Sequence, residues 1–149
     1  EGGGPGGLLG DPPAQITVHN LVSSRRVACV RLDGEWRDRR VVSMAFSGDE
    51  RHKLLAVQCG EPEWSVSYWR WYNERAVCGA RLDAETSRLT VAPGGVTPLA
   101  TSGGRLLRFW HYDRDAEELR QLHLADRSKE FEGPVADHCW LTKDRLAAV

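Results

Sequence analysis

Between Val41 and Asp83 the sequence places four short runs rich in β-branched and aromatic residues: Val41–Ser47, Leu54–Val57, Ser65–Tyr72 and Ala76–Leu82. Short polar turns separate them, as expected of strands joined by tight connections. A helix of ordinary length does not fit between those breaks. Four strands in about 43 residues have the size and rhythm of one blade of a β-propeller, and the rest of the chain reads as neighbours of that blade.

An internal repeat points the same way. Arg25, Val27, Arg31, Leu32, Asp33 and Glu35 recur as Arg75, Val77, Arg81, Leu82, Asp83 and Glu85, an offset of 81 − 31 = 50 at every matched position. A fixed period in this range marks stacked supersecondary units. The β-rich runs Ile16–Val22 and Arg26–Leu32 therefore read as the last two strands of a preceding blade, with Gly34–Arg40 as a long connection. A third unit takes its strands from Arg88–Ala92, Leu99–Ser102, Arg105–Tyr112 and Leu119–Leu124, with Phe109 falling 40 positions after Trp69. Ala125–Pro134 reads as a polar loop, and Asp137–Leu141 with Arg145–Val149 as the opening half of a fourth unit.

The expected fold is all-β: a partial propeller of a half blade, two whole blades and another half, over residues 14–149. Stacked blades cover their inner strands on both sides, so Val41–Ser47 and Leu54–Val57 are expected to be buried on both faces. Residues 1–13 are dominated by Gly and Pro and are expected to form a flexible tail or linker. An open arc leaves raw faces and strand edges at both ends. The chain is accordingly expected to be a segment of a longer one, whose remaining blades complete the ring, and the absence of an initiator Met agrees.

The charge balance is close, 20 Lys and Arg against 21 Asp and Glu, and gives no electrostatic case for nucleic acid or anionic lipid. No apolar run approaches the ~18 to 20 residues that would cross a membrane, and no basic-then-apolar leader is present. The four cysteines lack metal-knuckle spacing. Cys29, Cys78 and Cys139 lie in apolar runs, where free Cys packs as a small hydrophobe; Cys59 stands apart. A reduced, intracellular environment is the economical reading.

Val42-Ser43-Met44-Ala45-Phe46-Ser47 with Leu54-Leu55-Ala56, then Tyr68-Trp69 and Trp71, Leu106-Leu107-Arg108-Phe109, and His138 with Trp140-Leu141 before Asp144 carry a family resemblance. In this order and spacing the run from Arg40 to Val149 resembles the WD-repeat region of the cilia- and flagella-associated protein 57 family. Gly48 departs from the Phe-Ser-Pro-Asp turn common in WD-repeat blades. The resemblance implies a non-enzymatic axonemal scaffold of the cytoskeleton, bound along doublet microtubules near inner dynein arms and regulatory complexes, in a cilium or flagellum. It also implies a structural role for His138, bonding a Ser or Thr and an Asp of neighbouring strands. A general WD-repeat adaptor in a cytosolic or nuclear complex is the alternative, and an RNA-binding propeller a further one.

The chemistry-bearing residues are weighed against packing. Asp137-His138-Cys139 sets three reactive types in a row, but alternation denies His138 a shared face with both neighbours, so no catalytic residue is assigned. No metal or cofactor is expected, since His and Cys are scattered and the paired glycines lack a phosphate-loop lysine. Tyr68 to Tyr72 mixes aromatics with Arg70, a pattern that stacks nucleobases, yet alternation fits packing between blades better. Phe46, Trp69, Trp71, Phe109, Trp110, His138 and Trp140 are therefore assigned to structure. Trp36, Arg37, Arg39, Arg40 and Trp64 sit in connections rather than strands, and are the candidates for contact with a protein partner.

Overall fold

The structure, a computed structural model, describes residues 12–49, 51, 53–123 and 133–149. Most of the expected tail, and the loop expected over 125–134 except for Gly133 and Pro134, lie outside the described residues. The fold is all-β, with one 3₁₀ turn at Gly34–Trp36 as the helical element among the described residues. Strands β1 (Gln15–Asn20) and β2 (Arg25–Arg31) form a two-stranded sheet; β3 (Val41–Phe46), β4 (Leu54–Cys59), β5 (Ser65–Arg70) and β6 (Arg75–Arg81) form a four-stranded one. A second four-stranded sheet comprises β7 (Arg88–Val91), β8 (Leu99–Gly103), β9 (Leu106–Asp113) and β10 (Glu118–Leu122). Strands β11 (His138–Thr142) and β12 (Arg145–Ala148) pair by themselves. All pairings are antiparallel and sequential.

The 50-residue repeat is a repeat of hydrogen-bonding register. In β1–β2, Gln15 faces Arg31, Ile16 faces Val30 and Val18 faces Ala28, with a bulge between Val18 and His19. In β5–β6, Ser65 faces Arg81, Val66 faces Ala80 and Tyr68 faces Cys78, with the bulge between Tyr68 and Trp69. Every paired position is displaced by the same 50, bulge included. The first sheet thus corresponds to the last two strands of the second. Ser24 and Glu74, each just before the closing strand, share a left-handed backbone (φ 53° and 57°), and Glu117 repeats it before β10 (φ 48°).

The sheets stack face to face, and β4 is where this is clearest. All its residues are buried, and alternate side chains point into different cores. Leu54 and Ala56 join Val66, Tyr68, Leu89, Leu99, Trp110 and Tyr112 between the two four-stranded sheets. Leu55, Val57 and Cys59 join Ile16, Val30, Leu32, Trp36 and Trp69 between the first and second sheets. Burying a side chain of Leu or Val size contributes about 1.5–3 kcal/mol, so each interface is held mainly by its apolar layer.

Strand β3 departs from expectation. Its burial alternates, and Val42, Met44 and Phe46 are exposed. The side carrying Ser43 and Ala45 meets the third sheet, where Ser43 Oγ accepts from the Leu89 N–H at 3.1 Å. The other side faces the first sheet, whose two strands correspond to the closing pair only and do not reach it. Phe46 is therefore half-exposed rather than core, its ring edge-on to Trp71 at 6.1 Å. Trp71 lies in the turn after β5, not within the strand. The expected equivalence of Phe109 with Trp69 also fails. Trp69 faces the first sheet, whereas Phe109 faces forward onto Trp140 at 6.0 Å, and Trp110 is the β9 indole that faces backward.

Candidate functional site

The connection from β2 to β3, the loop from β4 to β5 and the connection from β6 to β7 lie at one end of the stacked sheets. Here the 3₁₀ turn drives Trp36 inward. Its ring stands edge-on to Trp69, centroids 5.9 Å apart, and lies over Gly79, where an added Cβ would fall 2.5 Å from the indole. Only 8% of Trp36 is exposed. The expectation of a surface tryptophan is therefore corrected: the ring fills the space between sheets that the missing Gly79 side chain leaves open.

Arg39 lies over the Trp36 ring with its guanidinium 4.4 Å from the centroid. Its Nη1 donates to Ser65 Oγ at 2.9 Å and its Nη2 to Glu63 Oε2 at 2.8 Å. The second carboxylate oxygen of Glu63 accepts from Arg81. One carboxylate thus bridges two guanidiniums from different elements, bordering a cleft of about 280 Å³. Arg39 is occupied in holding the loops together. Charged donors aligned in this way form the stronger class of hydrogen bond, and a partly buried pair escapes much of the screening of surface pairs.

Arg40 is tied through its backbone, donating to Glu61 O at 3.2 Å and accepting from Gly60 N at 2.8 Å. Its exposed side chain borders a neighbouring open cleft of about 400 Å³ with Trp64, Glu61, Glu85 and Val42. Trp64 is half-buried, packed against the core that holds Tyr68. Arg37 is exposed. So the five sequence candidates separate: Trp36 and Arg39 build the platform, Arg37 and Arg40 face solvent, and Trp64 does both. Glu63, Ser65 and Arg81 were not singled out from the sequence, although Arg81 belongs to the repeat.

His138 is 2% exposed and links two sheets. Its Nδ1 lies 2.7 Å from Ser102 Oγ and its Nε2 2.7 Å from Thr90 Oγ1. Neutral imidazole offers one donor and one acceptor, and two rotatable hydroxyls satisfy both. The ring partners are two hydroxyls, where the resemblance implies a Ser or Thr and an Asp. Asp137 instead pairs with Arg88 at 2.5 Å, and Cys139 emerges on the opposite, exposed face. Burial, followed by the Arg88 charge, pushes the His138 pKa down.

The aromatic run is committed to packing at its centre. Tyr68 and Trp69 are buried; Tyr68 donates its hydroxyl to Val96 O at 2.5 Å, and Trp69 Nε1 donates to Ser67 Oγ at 2.9 Å. Neither ring offers a face to a nucleobase. Trp110 Nε1 likewise donates to Thr101 Oγ1 at 3.0 Å. Among the cysteines the expected order is reversed. Cys59 is fully buried, its thiol pushed up to about 11 mainly by burial, whereas Cys139 is exposed. Among the described residues no three His, Cys, Asp or Glu side chains gather as a metal site, and no helix is long and apolar enough to cross a membrane.

No family model matches the chain, and no curated protein matches it.

Proposed function

We propose that the chain is part of a WD-repeat β-propeller that acts as a non-enzymatic, protein-binding scaffold, with its working surface at the loop end built on Trp36, Arg39 and Glu63. The observation that carries the binding role is the contrast between Arg39 and its neighbours. Arg39 is locked by Trp36, Ser65 and Glu63, so the segment bearing Arg37 and Arg40 is presented on fixed backbone beside the Trp64 cleft. Exposed Arg and partly buried Trp on a rigid support make effective anchors, because little ordering entropy is lost when they bind. The role needs no turnover.

The further proposal, an axonemal location on doublet microtubules, rests on the resemblance through Tyr68, Trp69, Trp71, His138 and Trp140. Co-sedimentation with isolated doublet microtubules tests both parts. The wild-type chain is expected to pellet with the doublets, and the Arg37→Glu, Arg40→Glu double variant to bind about tenfold or more weakly. A wild-type chain left in the supernatant ends the axonemal proposal. Undiminished pelleting of the double variant moves the binding surface elsewhere.

A further inference from the structure

The open cleft of about 400 Å³ beside Trp64 is drawn entirely from the second sheet and the two connections that flank it. Arg40 comes from the connection that enters β3, Gly60, Glu61 and Trp64 from the loop between β4 and β5, and Glu85 from the connection that leaves β6. Gly60 forms the floor. An added Cβ there would fall 2.9 Å from Val42 Cγ2 and 3.3 Å from the Trp64 ring, so a side chain at this position would fill the space. The floor is thus apolar and partly aromatic.

The rim is charged, and its charges are not spent inside the molecule. Glu61 and Glu85 are exposed, and among the described residues neither joins an ion pair. Glu63, two residues on from Glu61, makes the contrast: its carboxylate is consumed by Arg39 and Arg81. Arg40, also exposed on the rim, is bound through its backbone. Two carboxylates against one guanidinium leave the rim with a negative excess.

We propose that this cleft receives an arginine side chain of the protein partner, with its aliphatic stem over Val42 and Gly60, its guanidinium plane on the Trp64 indole and its N–H donors shared by Glu61 and Glu85. This rests on the protein-binding reading and names what that site takes. An apolar side chain would cover the two carboxylates without pairing them, and an acidic one would be repelled. Lysine supplies the stem and the charge, but only arginine adds a flat face for the indole and a fork that two carboxylates can divide. Arg40 is left for an acidic residue of the same partner, so the insertion adds to the role of Arg37 and Arg40.

The test uses N-acetyl-arginine amide, with N-acetyl-citrulline amide as its uncharged counterpart of equal length. The Trp64 indole N–H is followed by NMR in the full chain, its signal assigned from Trp64→Phe. The arginine derivative is expected to shift that signal saturably, with a millimolar dissociation constant, and the citrulline derivative to leave it in place. Glu61→Gln combined with Glu85→Gln, both exposed and nearly isosteric, is expected to weaken the arginine derivative about tenfold while the other indole signals stay where they are. Absence of a saturable shift, an equal response to the citrulline derivative, or an unchanged constant in the double variant overturns the proposal. The measurement needs no doublet microtubules. Failure here with pelleting intact leaves the scaffold reading standing, whereas an arginine-specific shift without pelleting keeps the cleft and ends the axonemal location.

Discussion

The backbone N–H of Gly48 donates to the carbonyl of Gly95 at 2.9 Å, joining the first turn of one four-stranded sheet to the first turn of the next. A Cβ at Gly48 would lie 2.5 Å from Gly94 N, so the two turns approach more closely than a side chain allows. A proline at this position would remove the donor and collide with the neighbouring turn. Gly48→Pro is expected to lower stability by about 2–3 kcal/mol, and Gly48→Ala to cost less because the N–H remains. Urea unfolding of the two variants, compared at equal slope, measures the difference. Equal stability of Gly48→Pro and wild type would show the contact to be idle.

Gly79 and Trp36 make a second pair of this kind. Gly79→Ala places a methyl against the indole and is expected to push Trp36 out of the interface with Trp69, at a cost of about 1–3 kcal/mol. The near-ultraviolet dichroism of the coupled indoles should fall along with stability. Retention of the dichroism would mean that the ring has room to move aside.

Arg39→Lys keeps the charge but loses the planar fork shared between Ser65 and Glu63 and the flat contact over Trp36. A loss of about 1–2 kcal/mol is expected, with more for Arg39→Ala, which leaves Glu63 with Arg81 alone. Comparing denaturation midpoints of Arg39→Lys in the presence and absence of Glu63→Gln reads the coupling. Strict additivity would remove Glu63 from the explanation.

His138 imposes a pH dependence whose sign follows from its environment. Burial and the Arg88 charge lower its pKa from the ordinary 6.5, so the unfolded chain takes up this proton before the folded one does. Its contribution to stability is complete above about 6.5 and is lost as pH falls toward the folded-state value, with a slope of up to about 1.4 kcal/mol per pH unit. His138→Gln is expected to lower stability at pH 7 and to flatten the profile between pH 7 and 5. A profile as steep as that of the wild type would assign the acid sensitivity to other groups.

Much of the strand pattern was legible in the chain. Leu54–Val57 lies within β4, Leu99–Ser102 within β8, and the 50-residue offset became a register repeat, because a period of two and a fixed turn spacing are local properties. The loop site was less legible. Trp36 sits among arginines in a connection, and nothing nearby in sequence announces that Gly79, 43 positions later, leaves the space it fills. The offset of 40 between Trp69 and Phe109 had the right size, yet the two rings face different neighbours.

Alternation along each strand decides which side chains share a face, and that much resides in the order of the residues. What lies across from that face is set by elements distant in the chain. Val42, Met44 and Phe46 are as apolar as Leu55 and Val57, but the first three are open and the latter buried, since the first sheet has strands to cover one set and none to cover the other. His138 likewise acquires its role only where Thr90 and Ser102 of the preceding sheet arrive within 2.7 Å of both ring nitrogens. Periodicity is a property of neighbours along the backbone, whereas burial is a property of neighbours in space.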